Sequence, residues 1–219
     1  MMLTPEEARI HAHVCGDGYL TIYIERHALR VVRGRRYYRP RVRYVVGYSN
    51  NEPALIQEFV SDVRKTYNVS CRVLVRNGHY EARLKSKRVF SRLREFGAGP
   101  SRGWRIGEDI LQSHADVKKA WLRAFFDDEA SVLPHEGRIR VKSMNKHGLE
   151  QVSHLLAGLG IASRITGQNK DGSWYLVLSG THARRYVAEV GFLHPEKSLK
   201  ARELLRRCKN AVYLTTSPG

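Results

Sequence analysis

Apolar positions along this chain follow two periods, and the two alternate in a fixed order. Leu55, Ile56, Phe59, Val60 and Val63 share one face of a helix predicted over residues 52–67. Leu149, Val152, Leu155, Leu156 and Leu159 mark a second helix of the same kind. Two-residue alternation predicts strand pairs at 71–75 with 80–85 and at 163–166 with 173–178. Asn77-Gly78 and Asp171-Gly172 lie between the members of each pair, and both are hairpin dipeptides. Longer β-rich stretches, 19–48 and 131–141, come before Ser49-Asn50 and Ser143-Met144-Asn145. Two further helices end at Glu95-Phe96-Gly97 and Glu189-Val190-Gly191. Residues 10–18 (Ile-His-Ala-His-Val-Cys-Gly-Asp-Gly) and 122–130 (Leu-Arg-Ala-Phe-Phe-Asp-Asp-Glu-Ala) place small or apolar residues at helical spacing. Each finishes in a carboxylate followed by Gly or Ala.

The order therefore occurs twice: helix, two strands, helix, two strands, helix. Leu55 to Leu149 is 94 residues, Arg72 to Arg164 is 92, and Glu95 to Glu189 is 94. Asp17 to Glu129 is 112, about 18 longer. The first half thus carries an insertion between Asp17 and Asn50, predicted to be a long basic β-hairpin that the second half lacks. The repeat divides the chain into a first half at 1–96, a Gly- and Pro-rich linker at 97–113, and a second half at 114–219. The expected class is α+β, with two pseudo-symmetric αββαββα halves.

Charge narrows the partner. The 219 residues hold 38 Lys+Arg against 21 Asp+Glu, a net charge of +17, and 42% hydrophobic residues, enough for a packed core. Twenty-seven of the 38 are Arg, whose forked guanidinium suits phosphate or a guanine edge. The excess is spread, at +10 over residues 1–110 and +7 over 111–219, so this is no basic tail on a neutral domain. Nucleic acid is the first candidate partner and an acidic membrane surface the second. No apolar run reaches the roughly 18 residues that span a bilayer. The odd set Cys15, Cys71 and Cys208 fits a reducing interior. With no targeting signal at the start, a cytoplasmic location is expected.

The two nine-residue stretches, at this separation and each followed by the same order of elements, resemble the LAGLIDADG homing endonuclease family in its single-chain, two-motif form. The resemblance covers essentially the whole chain. Gly191-Phe192-Leu193-His194-Pro195-Glu196-Lys197 is similar to archaeal members. The resemblance implies motif helices packed at the centre and antiparallel sheets forming a DNA-binding saddle. It implies a site-specific, metal-dependent endonuclease, intron-encoded and monomeric, that cuts both DNA strands across the minor groove and leaves short 3′ overhangs. Departures are His11 and His13 at usually apolar positions, Cys15 at the sixth position, Ala130 in place of Gly, and Glu129 as the second acid. An RNA maturase bound to its own intron RNA, or a cleavage-inactive DNA-binding protein, is the alternative on the same fold. An intein-embedded domain is not expected, because the chain opens Met1-Met2, ends Thr216-Ser217-Pro218-Gly219 and shows no His-Asn splice terminus.

The chemistry follows from the acids. Phosphodiester hydrolysis needs an activated water and a stabilised leaving oxygen, and divalent cations held between carboxylates supply both. Asp17 and Glu129 are the catalytic and metal-holding candidates, with two or more Mg²⁺ (or Mn²⁺) ions at the junction of the halves. The resemblance adds the backbone carbonyls of Gly16 and Asp128 as ligands. Ala12, Gly16 and Ala124 are the small residues that would let the helices approach. Asn50, Lys85, Lys87, Lys142 and Asn145 are the candidates for polar groups near the scissile phosphates. His11, His13 and Cys15, at i, i+2 and i+4, cannot converge on one metal. Strand alternation puts Arg39, Arg41 and Arg43 opposite Pro40, Val42 and Tyr44. Arg72, Arg76, Arg83, Arg138 and Arg140 sit on similar basic faces, and Arg26, Arg30, Arg33, Arg35 and Arg36 complete the DNA-binding set.

If the basic faces hold duplex DNA, log K falls with log salt at a slope of about −0.9 per neutralised phosphate. Filter binding across a salt series measures the slope, and a flat line would remove DNA from these faces.

Overall fold

The computed structural model describes residues 3–213, with side chains through residue 207. The Cys208 side chain, Met1-Met2 and the segment from Thr216 to Gly219 lie outside the described residues. The first half runs α1 (Pro5–Cys15), β1 (Gly18–Val32), β2 (Arg35–Asn50), α2 (Pro53–Tyr67), β3 (Arg72–Arg76), β4 (His79–Lys85) and α3 (Lys87–Glu95). The second runs α4 (Glu108–Leu111), α5 (Ala115–Glu129), β5 (Ala130–Leu133), β6 (Arg138–Ser143), α6 (Lys146–Ala157), β7 (Arg164–Gly167), β8 (Trp174–Ser179), α7 (Gly180–Glu189) and α8 (Pro195–Tyr213). Each half forms one four-stranded antiparallel sheet, in the orders β1-β2-β4-β3 and β5-β6-β8-β7. The orders match position for position, as the repeat in the sequence implies.

Local chemistry sets the boundaries. Thr4 caps α1 by accepting from Glu7 N, with Pro5 at the first turn where its missing N–H costs nothing. Glu52 caps α2 and Ser86 caps α3 in the same way. Asn77 and Gly78, both at positive φ, close the β3–β4 hairpin as their dipeptide predicts. The strands start or end within a residue of their expected positions. Helix α8 was not anticipated from the sequence, because its apolar residues are diluted by charge (Glu196, Lys197, Lys200, Arg202, Glu203).

Each sheet buries one face against helices and leaves the other open. In the first, Val46, Tyr48, Ala82 and Leu84 are buried while Arg83 and Lys85 between them are exposed. In the second, Ile139, Val141, Leu176 and Leu178 form the buried face. One continuous core joins the halves through α1 and α5. The stretch expected as a plain linker is part of that core: Trp104, Ile106 and Ile110 are buried, and the Trp104 ring meets Phe125 edge to face with centroids 5.1 Å apart. No helix among the described residues is long and apolar enough to cross a membrane.

The junction of α5 with α8 depends on one carboxylate. Asp127 accepts from Leu193 N at 3.0 Å and His194 N at 3.0 Å, and from Arg123 at 3.3 Å. Removing it leaves two part-buried backbone N–H groups and one Arg123 N–H without this acceptor. Asp127→Ala is expected to cost about 1–3 kcal/mol, read as a lowered midpoint in urea with an unchanged slope.

Candidate functional site

The site grows from the crossing of α1 and α5. Ala12 on α1 and Ala124 on α5 are both completely buried. Gly16, just past α1, has no room for a side chain, since an added Cβ would lie 2.8 Å from Asp128 Oδ2. Small residues here bring the two helix ends together. Asp17 follows Gly16, and Glu129 is the last residue of α5, so both acids sit where a motif helix turns into a strand. Burial, and then the charges of Asp17 and Asp128, push the Glu129 carboxyl up to about 8. Burial, then the Asp128 charge, raises Asp17 to about 6. Asp17 is exposed by surface area, so water screens it more and the Glu129 shift carries the argument.

The acids are held by a clamp of polar groups from both halves. The Asp128 side chain, fully buried, points into the first half. It accepts from His13 Nδ1 at 2.9 Å and from the Tyr48 hydroxyl at 2.7 Å. Asn50 Nδ2 donates to Asp17 Oδ2 at 3.0 Å and to Asp128 Oδ1 at 3.4 Å, linking the clamp to the first acid. Burial alone would depress His13, but Asp128 and Glu58 outweigh it and hold the imidazole up at about 9. Two residues earlier, His11 accepts from Trp121 Nε1 at 2.9 Å, and burial keeps it neutral by lowering it to about 3. His11 and Cys15 lie together while His13 faces Asp128, so the three do not share a metal. From α8, Lys197 Nζ donates to the carbonyls of Phe126 (3.2 Å), Asp127 (2.5 Å) and Asp128 (3.0 Å), closing the C-terminus of α5.

Two crowded carboxyls with raised affinity for protons suit a hard divalent cation, which prefers oxygen ligands. Asp17 and Glu129 would hold it. Among the described residues no three His, Cys, Asp or Glu side chains converge as a ready-made cage. Remaining ligands would come from carbonyls, water and phosphate oxygens. The Gly16 carbonyl adjoins the acids. The Asp128 carbonyl already takes one hydrogen bond from Lys197, leaving one lone pair. Of the polar candidates, Asn50 is in the site. Lys142 and Glu129 line one groove, and Lys142 is paired with Asp171 at 2.6 Å. Lys85 and Lys87 lie over the rings of Tyr23 and Tyr44. Asn145 is a correction: it is buried, caps α6 by accepting from Gly148 N, and donates to the Trp104 carbonyl at 2.5 Å. Its amide is spent on packing and does not face the acids.

The open sheet faces carry the arginines. Register places Arg72, Arg76, Arg83, Lys85 and Arg43 on one face of the first sheet with Tyr19, Thr21 and Tyr23. Arg39 and Arg41 continue it. Arg36 has the opposite parity to Arg35 and Arg39 and lies on the reverse side, Arg26 falls in a bulge between Glu25 and Ala28, and Arg33 is in the turn. In the second sheet Arg138, Arg140 and Lys142 share a face with Arg164, Thr166 and Tyr175, and Arg140 lies 4.5 Å from the Tyr175 ring centroid. Four of these cations meet carboxylates on the protein itself: Arg43 with Glu25 at 2.5 Å, Arg83 with Glu81 at 2.8 Å, Arg138 with Glu136 at 3.3 Å, and Lys142 with Asp171 at 2.6 Å.

Residues 116–191 match the family model described as a LAGLIDADG-like domain. Homing endonuclease I-ApeI from Aeropyrum pernix is 29% identical over 203 residues, covering 87% of this chain and 89% of that one. The chain is thus similar to a LAGLIDADG-like domain over 116–191 and to a homing endonuclease over most of its length. A replication factor C small subunit from Thermococcus kodakarensis is 27% identical over 74% of this chain, which spans only 19% of that protein's length. The solved structure of I-DmoI with DNA and Mn shares the fold, with a TM-score of 0.64 and 21% identity over 85% of this chain and 96% of that one.

Sequence reasoning missed Tyr48 and Lys197 as parts of the site, and Tyr19, Arg164 and Tyr175 on the open faces. Arg164 was legible from alternation on β7. Tyr48 and Lys197 were not, because only the fold brings them to the acids.

The raised acids have a pH signature. A carboxyl whose folded value is raised contributes stability below its unfolded value and loses it as pH rises through the folded one. The metal-free protein therefore loses stability from Asp17 and Glu129 between about pH 4 and 8. A bound divalent cation displaces those protons. The rise in melting temperature caused by Mg²⁺ or Mn²⁺ is expected to grow from pH 6 to pH 8, and scanning calorimetry with and without metal checks it.

Proposed function

We propose that this chain is a site-specific endonuclease that hydrolyses both strands of duplex DNA across a minor groove and leaves short 3′ overhangs. The observation that carries the reading is the pair of acids, Asp17 and Glu129, each at the end of a motif helix and brought together at the junction of two sheets with basic open faces. The LAGLIDADG relatives support it: I-ApeI is a homing endonuclease, and I-DmoI has been solved with DNA and Mn. Divalent cations held by Asp17 and Glu129, two or more in number and Mg²⁺ or Mn²⁺ by donor type, would lower the pKa of a bound water and stabilise the leaving oxygen. The chain's own groups do the rest. Asn50 holds the Asp17 carboxylate in place, Lys197 holds the end of α5, and the arginines of both sheets fix the duplex by its phosphates. The protein acts as a monomer, because one chain already supplies both acids.

Incubating the protein with a randomised duplex library in Mg²⁺, and in parallel in EDTA, and sequencing the ends tests this directly. Metal-dependent double-strand cuts at one long motif are expected. Asp17→Asn and Glu129→Gln should each lower cutting by at least a hundredfold while duplex binding persists. Undiminished cleavage by either variant would place the centre elsewhere. Binding without cuts by the unchanged chain would favour the RNA maturase or cleavage-inactive reading.

A further inference from the structure

The two halves differ most in how far their first hairpin reaches. In the second half, β6 is paired along its whole length with β8, from Arg138–Ser179 to Ser143–Trp174, so its hairpin ends with its sheet. In the first half, β2 pairs with β4 only from Val45 to Asn50. The preceding residues 35–44 pair with β1 alone, closed by a turn with Arg33 and Gly34 at positive φ. Ten residues at about 3.3 Å each form a two-stranded ribbon projecting about 33 Å past the sheet. That is close to one turn of B-DNA, roughly 34–36 Å or 10 base pairs.

The ribbon is built for polyanion. Residues 26–44 contain eight arginines (26, 30, 33, 35, 36, 39, 41 and 43) and no Asp or Glu. Among the described residues only Arg43 of these makes an ion pair, with Glu25 at the ribbon's base. The bulge at Glu25/Ala28 adds a residue to β1 and so bends the ribbon. Past the bulge, Arg30, Arg35, Arg39 and Arg41 share one face, and this face continues the one that carries Arg43, Arg72, Arg76 and Arg83. A two-stranded ribbon fits a major groove.

We propose that this ribbon is an asymmetric arm that extends the DNA interface by about one helical turn on the first half's side of the cut, with nothing equivalent on the other. This rests on the DNA-endonuclease reading above and adds to it the shape of the target. The site is not a balanced pair of half-sites around the cut. One flank is longer and is held largely through phosphates.

Hydroxyl-radical footprinting in EDTA, on the duplex recovered from the cleavage selection, tests the arm. Two variants are compared with the full chain: Arg30, Arg35, Arg39 and Arg41 all changed to Gln, and residues 26–40 replaced by Asn-Gly, a two-residue turn suited to the existing Glu25–Arg41 rung. The full chain is expected to protect about 10 more base pairs on one side of the cut than on the other. Both variants should lose that extension and keep the opposite boundary. On a random-sequence 40-base-pair duplex, the four-Gln variant should also flatten the salt slope by about 0.9 for each phosphate it no longer neutralises. Equal protection on both sides, or variants with unchanged footprints and slopes, would overturn the arm while leaving the endonuclease reading intact. No duplex binding by the full chain would overturn both.

Discussion

The Asp128 carboxylate is the point on which the rest of the site depends. It belongs to the second half, yet its partners His13 and Tyr48, and Asn50 beside them, belong to the first. Both side chains of the Asp128–His13 pair are fully buried. An isolated charge in such a place is costly, so each partner needs the other, and breaking such a pair costs about 3–5 kcal/mol. The halves can therefore meet in only one register. Trp121 bonded to His11, on the same two helices, sets that register a second time. Because Asp17 and Glu129 each lie next to this crossing in the chain, the register of the helices is also the spacing of the acids.

The clamp explains what would otherwise be defects in the first motif. Histidines at two buried positions of a helix are costly unless their ring nitrogens find partners. Here each finds a partner across the interface, and the two solve the problem in opposite protonation states. His13 is held charged by Asp128 and Glu58, while burial keeps His11 neutral so that it can accept from Trp121. Glu58 is in turn held down at about 2 by His13 and Arg123 against the upward push of burial. The interface is thus an ionic network across the halves, in which small residues supply the close approach.

Symmetry of fold coexists with asymmetry of detail. Both sheets have the same strand order and the same division into buried apolar and open basic faces. Around the acids the halves differ. Asp17 is bonded by Asn50 in its own half, whereas the Glu129 end of its helix is closed by Lys197 from α8. The first hairpin projects past its sheet and the second does not. The halves share strand order and buried faces and differ around the acids and in the reach of the first hairpin.

What the sequence determined by itself was everything carried by local period and by repetition. Helix α2 follows from five apolar residues at helical spacing, and the β3–β4 hairpin from alternation around Asn77-Gly78. The offset of 112 against 94 places the long hairpin in the first half, and the acids stand out as the matched ends of two motif copies. Such signals survive in one dimension because backbone geometry maps them directly onto spacing. The tertiary structure alone decided what meets across the halves. Asp128 reaches into the first half to His13 and Tyr48, Lys197 returns from 69 residues downstream of Asp128 to close α5, and Asn145 is used up as a cap under Trp104. None of these has a period. Each depends on which buried polar atom lacked a partner once the cores had packed, and that is settled only in three dimensions.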